Sequence, residues 1–176
     1  EILRQLGFED LHVGSVEALG DVASLKSRRF EIVVAGEIIE HLRNPGLMLD
    51  GIHELLEPGG ILVVTTPNGL RAGNAIPSLL GIEVVHPNHV VSFTPSTLLR
   101  LAEQSGYEFK ALMTYRVPTH VNVRHGRPPE RLARCVYWLL DWALTNRIVT
   151  WLAPYVADGV IVTLESDGGA RDLHSG

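Results

Sequence analysis

Phe30-Glu31-Ile32-Val33-Val34-Ala35-Gly36-Glu37-Ile38-Ile39-Glu40-His41 begins as a nearly continuous apolar run and ends as a cluster of acids and an imidazole. Such a run suits a strand covered on both faces, as in a parallel sheet. Asn44-Pro45 then marks a helix start, with proline in the first turn. Gly46 to Leu56 predicts a helix with Leu47, Leu49, Ile52, Leu55 and Leu56 mainly along one side. Pro58-Gly59-Gly60 reads as its stop. Ile61-Leu62-Val63-Val64-Thr65-Thr66 reads as the next buried strand, closed by Pro67-Asn68-Gly69. Strand, helix and strand at this spacing make a βαβ unit and set the fold class as α/β.

Working outward, Leu11-His12-Val13 fits a short strand closed by Gly14-Ser15, and residues 2–7 read as a helix end stopped by Gly7. A long loop over 70–93 carries His86 and His89. A second helix is expected from Pro95 to Gln104, capped by Thr94 and stopped by Gly106. Tyr107 to Val117 reads as a strand, and residues 120–129 as a loop rich in Arg and His. Residues 130–155 read as mainly helical, broken at Pro154, and Gly159 to Glu165 as the last strand. The expected layout is a doubly wound sheet ending in an antiparallel strand. A helical insertion over 118–158 precedes that strand. Residues 1–166 then form one partial domain, and 167–176, small and polar, a disordered tail.

With 176 residues, 45% of them hydrophobic and 20% charged, the chain is neither a disordered segment nor a fibre. Fifteen basic against 20 acidic side chains give a formal charge of −5, which argues against a broadly basic nucleic-acid binder. One cysteine, Cys135, excludes an intramolecular disulfide framework and a Cys-rich zinc site. A cytoplasmic setting is the default. No basic segment followed by an apolar one marks a signal peptide. The chain opens on Glu1 and runs straight into a helix end, so the natural protein is expected to begin further upstream. Residues 130–155 hold Trp138, Trp142 and Trp151, yet Arg134, Asp141, Asn146 and Arg147 interrupt them well short of a span of roughly 20 residues. Amphipathic helices packed on the sheet are the plain reading. A lid over an apolar substrate, or peripheral membrane contact, is the sharper one.

The chemistry gathers after the first buried strand. If helical, Glu37, Glu40 and His41 stand at i, i+3 and i+4 on one face. They follow the carboxyl end of a strand, where open α/β sheets bind ligands. Hard divalent cations take oxygen ligands, and imidazole adds affinity for metals such as Mn²⁺. The plainer alternative is a polar helix start whose carboxylates favour its N-terminus. In His86-Pro87-Asn88-His89 one imidazole could complete a coordination sphere; otherwise both are solvated loop residues. Thr65-Thr66-Pro67-Asn68 should border the same crevice, or serve only as a strand stop and turn. Gly59-Gly60 is a tight turn rather than a phosphate cradle, because no helix follows it. Arg124, Arg127, Arg131 and Arg134 form a solvated face or, folded over the crevice, a holder for an anionic substrate group. Cys135 reads as a buried helix residue with no base beside it.

The stretch Phe30 to Leu42, the Pro58-Gly59-Gly60 turn, the Thr65-Thr66-Pro67-Asn68 strand end and His86-Pro87-Asn88-His89-Val90-Val91-Ser92-Phe93-Thr94-Pro95 resemble, in this order, a class I S-adenosylmethionine-dependent methyltransferase. The resemblance covers roughly residues 1–115 and 159–166. It implies a Rossmann-like methyltransferase sheet, here its strands three to seven. Glu37-x-x-Glu40-His41 with a later histidine is similar to ubiquinone-pathway O-methyltransferases and to small-RNA 3′-terminal 2′-O-methyltransferases. In those families the cluster holds a divalent metal beside the acceptor hydroxyl. Carried over, the metal ligands are Glu37, Glu40, His41 and His89, and the metal Mg²⁺ or Mn²⁺. His41 or His89 would be the general base without metal. The cofactor S-adenosylmethionine would meet Ser15, Val16, Gly36 and Glu37, with Ser15 standing where the family carries an adenine-contacting Asp. The family's Gly-rich loop and its ribose-binding acid have no counterpart in this chain, which is therefore expected to be an N-terminally truncated piece.

The implied activity is methyl transfer to a hydroxyl oxygen of a small-molecule, lipid or glycan acceptor. The acidic balance disfavours RNA. Rival readings are a metal-free methyltransferase acting on carbon, nitrogen or oxygen, a degenerate domain serving as a binding module, and a nicotinamide-dependent Rossmann domain. The sequence names neither the acceptor nor the oligomeric state.

Overall fold

Apolar alternation and the βαβ spacing resolve into four strands: β1 (Phe30–Gly36), β2 (Leu56–Pro67), β3 (Tyr107–Tyr115) and β4 (Gly159–Ser166). A computed structural model describes residues 2–74, 81, 85–116, 136, 139 and 153–167. The strands form one mixed sheet in the order β1-β2-β4-β3. β1 and β2 are parallel, whereas β4 runs antiparallel to both β2 and β3. The carboxyl ends of β1, β2 and β3 and the first residue of β4 therefore share one end of the sheet.

Helix α1 (Ile2–Gln5) is a single exposed turn ahead of Gly7. Helix α2 (Pro45–Leu55) has proline in its first turn and buries Met48, Leu49, Ile52 and Leu55. Leu47, expected on that face, is instead 52% exposed, because Met48 takes the inward position. Helix α3 (Pro95–Gln104) is closed at its start by a capping box between Thr94 and Thr97 and buries Leu98 and Ala102. These residues pack with Leu62, Val64, Val160, Val162 and Leu164 from the two central strands. Each such aliphatic side chain removed from water contributes about 1.5–3 kcal/mol.

Three expectations change. Leu11-His12-Val13 forms no strand. No described strand lies beside it to pair its backbone, and Asp10, His12, Ser24 and Arg28 hydrogen-bond among themselves instead. β1 is not covered on both faces: it is an edge strand, with Ile32 61% and Val34 68% exposed. Pro58-Gly59-Gly60 does not stop the helix, which ends at Leu55. The strand has already begun at Leu56, and the triplet makes an irregularity between the pairs Phe30–Leu56 and Ile32–Ile61.

The insertion over 118–158 lies outside the described residues apart from 136, 139 and 153–158, as do the arginine stretch and Cys135. Asp167, read as tail, is tied down: its N–H donates to the Gly106 carbonyl at 3.1 Å and its carboxylate lies 3.1 Å from His53 Nε2. Residues 168–176 are outside the description. Among the described residues no helix is long and apolar enough to cross a membrane.

Candidate functional site at the end of the sheet

Gly36 ends β1 opposite Thr65. Glu37 has φ +50°, in the left-handed region that residues with a Cβ seldom adopt. Its N–H donates to the Thr65 carbonyl at 3.0 Å. A single 3₁₀ turn follows over Ile39–His41, with Ile39 fully buried as its anchor. The α-helix expected across 37–41 therefore does not form, and Glu37 does not share a helical face with Glu40 and His41. Its carboxylate turns instead to Thr65 and Tyr115, whose hydroxyls donate to Oε1 at 2.8 and 2.7 Å.

Glu40 is 2% exposed and accepts a hydrogen bond from Thr66 Oγ1 at 3.0 Å. Its backbone carbonyl accepts from the N–H groups of Val90 and Val91, at 2.8 and 3.1 Å. That pair of bonds pins the loop after residue 85 to the turn and delivers His89 to it. The His41 and His89 rings meet edge-on with centroids 4.8 Å apart, and His86 stacks behind His89 at 5.0 Å. One ligand atom each from Glu40, His41 and His89 lies within 4.8 Å of the others. The structure thus brings three of the four expected ligands together, and Glu37 stands beside the group rather than in it.

The donor chemistry suits a cation. His41 Nδ1 sits 2.9 Å from the Asn88 carbonyl oxygen, which can only accept, so Nδ1 carries the hydrogen. The lone pair of neutral His41 is then on Nε2, which lies 3.7 Å from Glu40 Oε1. Fixing the tautomer through a backbone carbonyl is the usual outer support of a metal-binding histidine. Burial holds His89 below the ordinary imidazole range; Glu40 and Glu37 push it up, while His41 and His86 push it further down. A buried carboxylate beside two imidazoles is a donor set that accepts Mg²⁺ or Mn²⁺.

On the cofactor side, Val16 and Gly36 line one apolar cavity of about 490 Å³, together with Leu19, Ile38 and Met48. Ser15 is exposed and caps the turn Val16–Asp21 by accepting from Glu17 N–H. Ser15 is not among the residues that line this cavity.

Sequence reasoning missed Tyr115, read only as part of a strand. Its phenol is pushed well above the ordinary range, chiefly by burial and next by its bond to the Glu37 carboxylate, with Glu40 and Asp158 adding to it. It remains an O–H donor. Asn68, expected either to border the crevice or to serve as a strand stop and turn, is buried and donates to the carbonyls of Tyr155 and Ala157 at 2.6 and 3.0 Å.

A family model for a methyltransferase domain matches residues 3–112. The ubiquinone biosynthesis O-methyltransferase of Ruegeria pomeroyi is 33% identical over 112 residues, 59% of this chain and 43% of the relative. That of Azorhizobium caulinodans is 34% identical over 76 residues, 43% of this chain and 28% of the relative. The chain thus spans less than half the length of these relatives. Among solved structures, a SAM-dependent methyltransferase from Thermotoga maritima aligns over 94% of this chain and 67% of its own, with a TM-score of 0.59 at 17% identity. Another from Archaeoglobus fulgidus covers 90% and 68%, with a TM-score of 0.54 at 15% identity. At these identities the likeness shows the fold, and the mixed sheet with its reversed β4 is that of Rossmann-like methyltransferases.

Proposed function

The chain belongs to the methyltransferase domain family, and on that premise we propose that Glu40, His41 and His89 form the acceptor side of an S-adenosylmethionine-dependent transfer of methyl to a hydroxyl oxygen. The observation that carries this reading is the convergence of a buried carboxylate and two imidazoles within 4.8 Å at the ligand-binding end of the sheet. The acceptor is a small-molecule, lipid or glycan hydroxyl. The O-methyltransferase names of the relatives support oxygen over carbon or nitrogen.

Glu40, His41 and His89 would hold a divalent cation, with Glu37 alongside. Such a cation, when bound, lowers the pKa of a hydroxyl near it. Asn88 keeps the His41 Nε2 lone pair aimed inward. Thr66 keeps the Glu40 carboxylate from rotating away. Without a cation, the proton leaving the acceptor hydroxyl would instead go to an imidazole nitrogen of His41 or His89, the catalytic residues of that route. Ser15, Val16, Gly36 and Glu37 border the donor side. One feature favours this metal-free route: Asn88 holds His41 Nδ1, which leaves Nε2 turned to the site beside Glu40.

The test uses the full-length protein with methyl-labelled S-adenosylmethionine and a panel of phenols, catechols, glycans and lipid alcohols. Label should pass to oxygen, fall at least about tenfold in chelator and return with Mg²⁺ or Mn²⁺. Undiminished transfer in chelator would leave the imidazole alone as base. Label on carbon or nitrogen acceptors only would overturn the oxygen assignment.

A further inference from the structure

We propose that Tyr115 is a positioning residue that reaches across the sheet to fix Glu37 as the carboxylate flanking the Glu40–His41–His89 group. This rests on the cation-binding reading of that group. Tyr115 ends β3, at the far edge of the sheet from β1, whose last residue precedes Glu37. Three inter-strand spacings separate them, about 14 Å. Only two long side chains leaning toward each other bridge such a gap, and these two do, with Tyr115 Oη 2.7 Å from Glu37 Oε1.

Two local features make the reach feasible. Gly159, the cross-strand partner of Tyr115 on β4, has no side chain to block the ring. A Cβ built there would collide with Tyr115 Cζ and its hydroxyl oxygen, so any other residue would push the phenol aside. Glu37, for its part, is turned by its left-handed backbone, a conformation that persists only where its surroundings hold it. Thr65 and Tyr115 hold it from two sides. Both bonds fall on Oε1, so among the described residues Oε2 accepts no hydrogen bond and stays available to a ligand. Hydrogen bonding one oxygen of a carboxylate to orient the other is how outer partners tune a ligand.

The experiment follows the free Mn²⁺ signal by electron paramagnetic resonance during titration of the full-length wild type, Tyr115→Phe, Glu37→Gln and the double variant. Tyr115→Phe keeps the ring over Gly159, so its metal-free melting temperature should stay within about 3 °C of wild type. Each single variant should weaken Mn²⁺ binding about tenfold. The double variant should lose no more than either one, because both act through one carboxylate. Gly159→Ala, which displaces the phenol without altering its hydroxyl, should reproduce the loss. Wild-type affinity in Tyr115→Phe alongside a loss in Glu37→Gln overturns the inference and leaves the cation site standing. So do single losses that multiply in the double variant. A wild type with no Mn²⁺ affinity overturns the cation site, and this inference with it.

Discussion

Glu40 is a buried carboxyl with few partners, the Thr66 hydroxyl and His41 Nε2 at 3.7 Å from Oε1. It is 2% exposed, and its hydrogen bond comes from a neutral hydroxyl. Burying a carboxylate on such terms is costly unless a cation arrives. Glu40→Gln preserves an acceptor for Thr66 and removes the charge. The metal-free variant should therefore melt at or slightly above the wild-type temperature, while the rise in melting temperature caused by Mn²⁺ disappears. A variant still stabilised by Mn²⁺ would move the cation elsewhere. Glu40, His41 and His89 were legible as candidates because their side-chain types announce the chemistry. The departure of Glu37 was not, since the sign of its φ is settled by Thr65 and Tyr115, which lie 28 and 78 positions away. Tyr115 itself gave no signal: an aromatic at a strand end is ordinary until Gly159 is seen opposite it.

Elements were legible where local rules govern them. The start of α3 follows from Thr94-Pro95, and the pairing of β1 with β2 follows from the βαβ spacing. The Pro58-Gly59-Gly60 segment was misread because a turn and a bulged strand start use the same residues. Gly59 takes φ +74°, and a Cβ on Gly60 would lie 2.8 Å from the Glu57 carbonyl oxygen, a backbone atom with no room to yield. Gly60→Ala should destabilise the protein by about 2 kcal/mol through this overpacking. Urea unfolding with an unchanged midpoint would show that the bulge relaxes freely. The same strand aligns Thr65 and Thr66 with Glu37 and Glu40, so loss of register at the bulge would be felt at the site end.

At the scale of the whole molecule, the described sheet has an apolar edge. Ile32 and Val34 are exposed on β1, and beside them lies the cavity shared by Val16 and Gly36. An unpaired edge of this kind recruits other strands. The 176-residue chain by itself should self-associate, and Val34→Lys should suppress this; light scattering that is unchanged by the substitution would exonerate the edge. This exposure was not legible, because a continuous apolar run signals burial and does not say what buries it. The loop that supplies His89 offers a different lesson. Glu40 faces the site with its side chain and, through its carbonyl, holds Val90 and Val91. Peeling the loop away removes His89 and the Asn88 carbonyl that holds His41 in one event, leaving only Glu40 in place on Thr66. Slow amide exchange at Val90 and Val91 thus becomes a gauge of whether the centre is assembled, readable before any acceptor has been found.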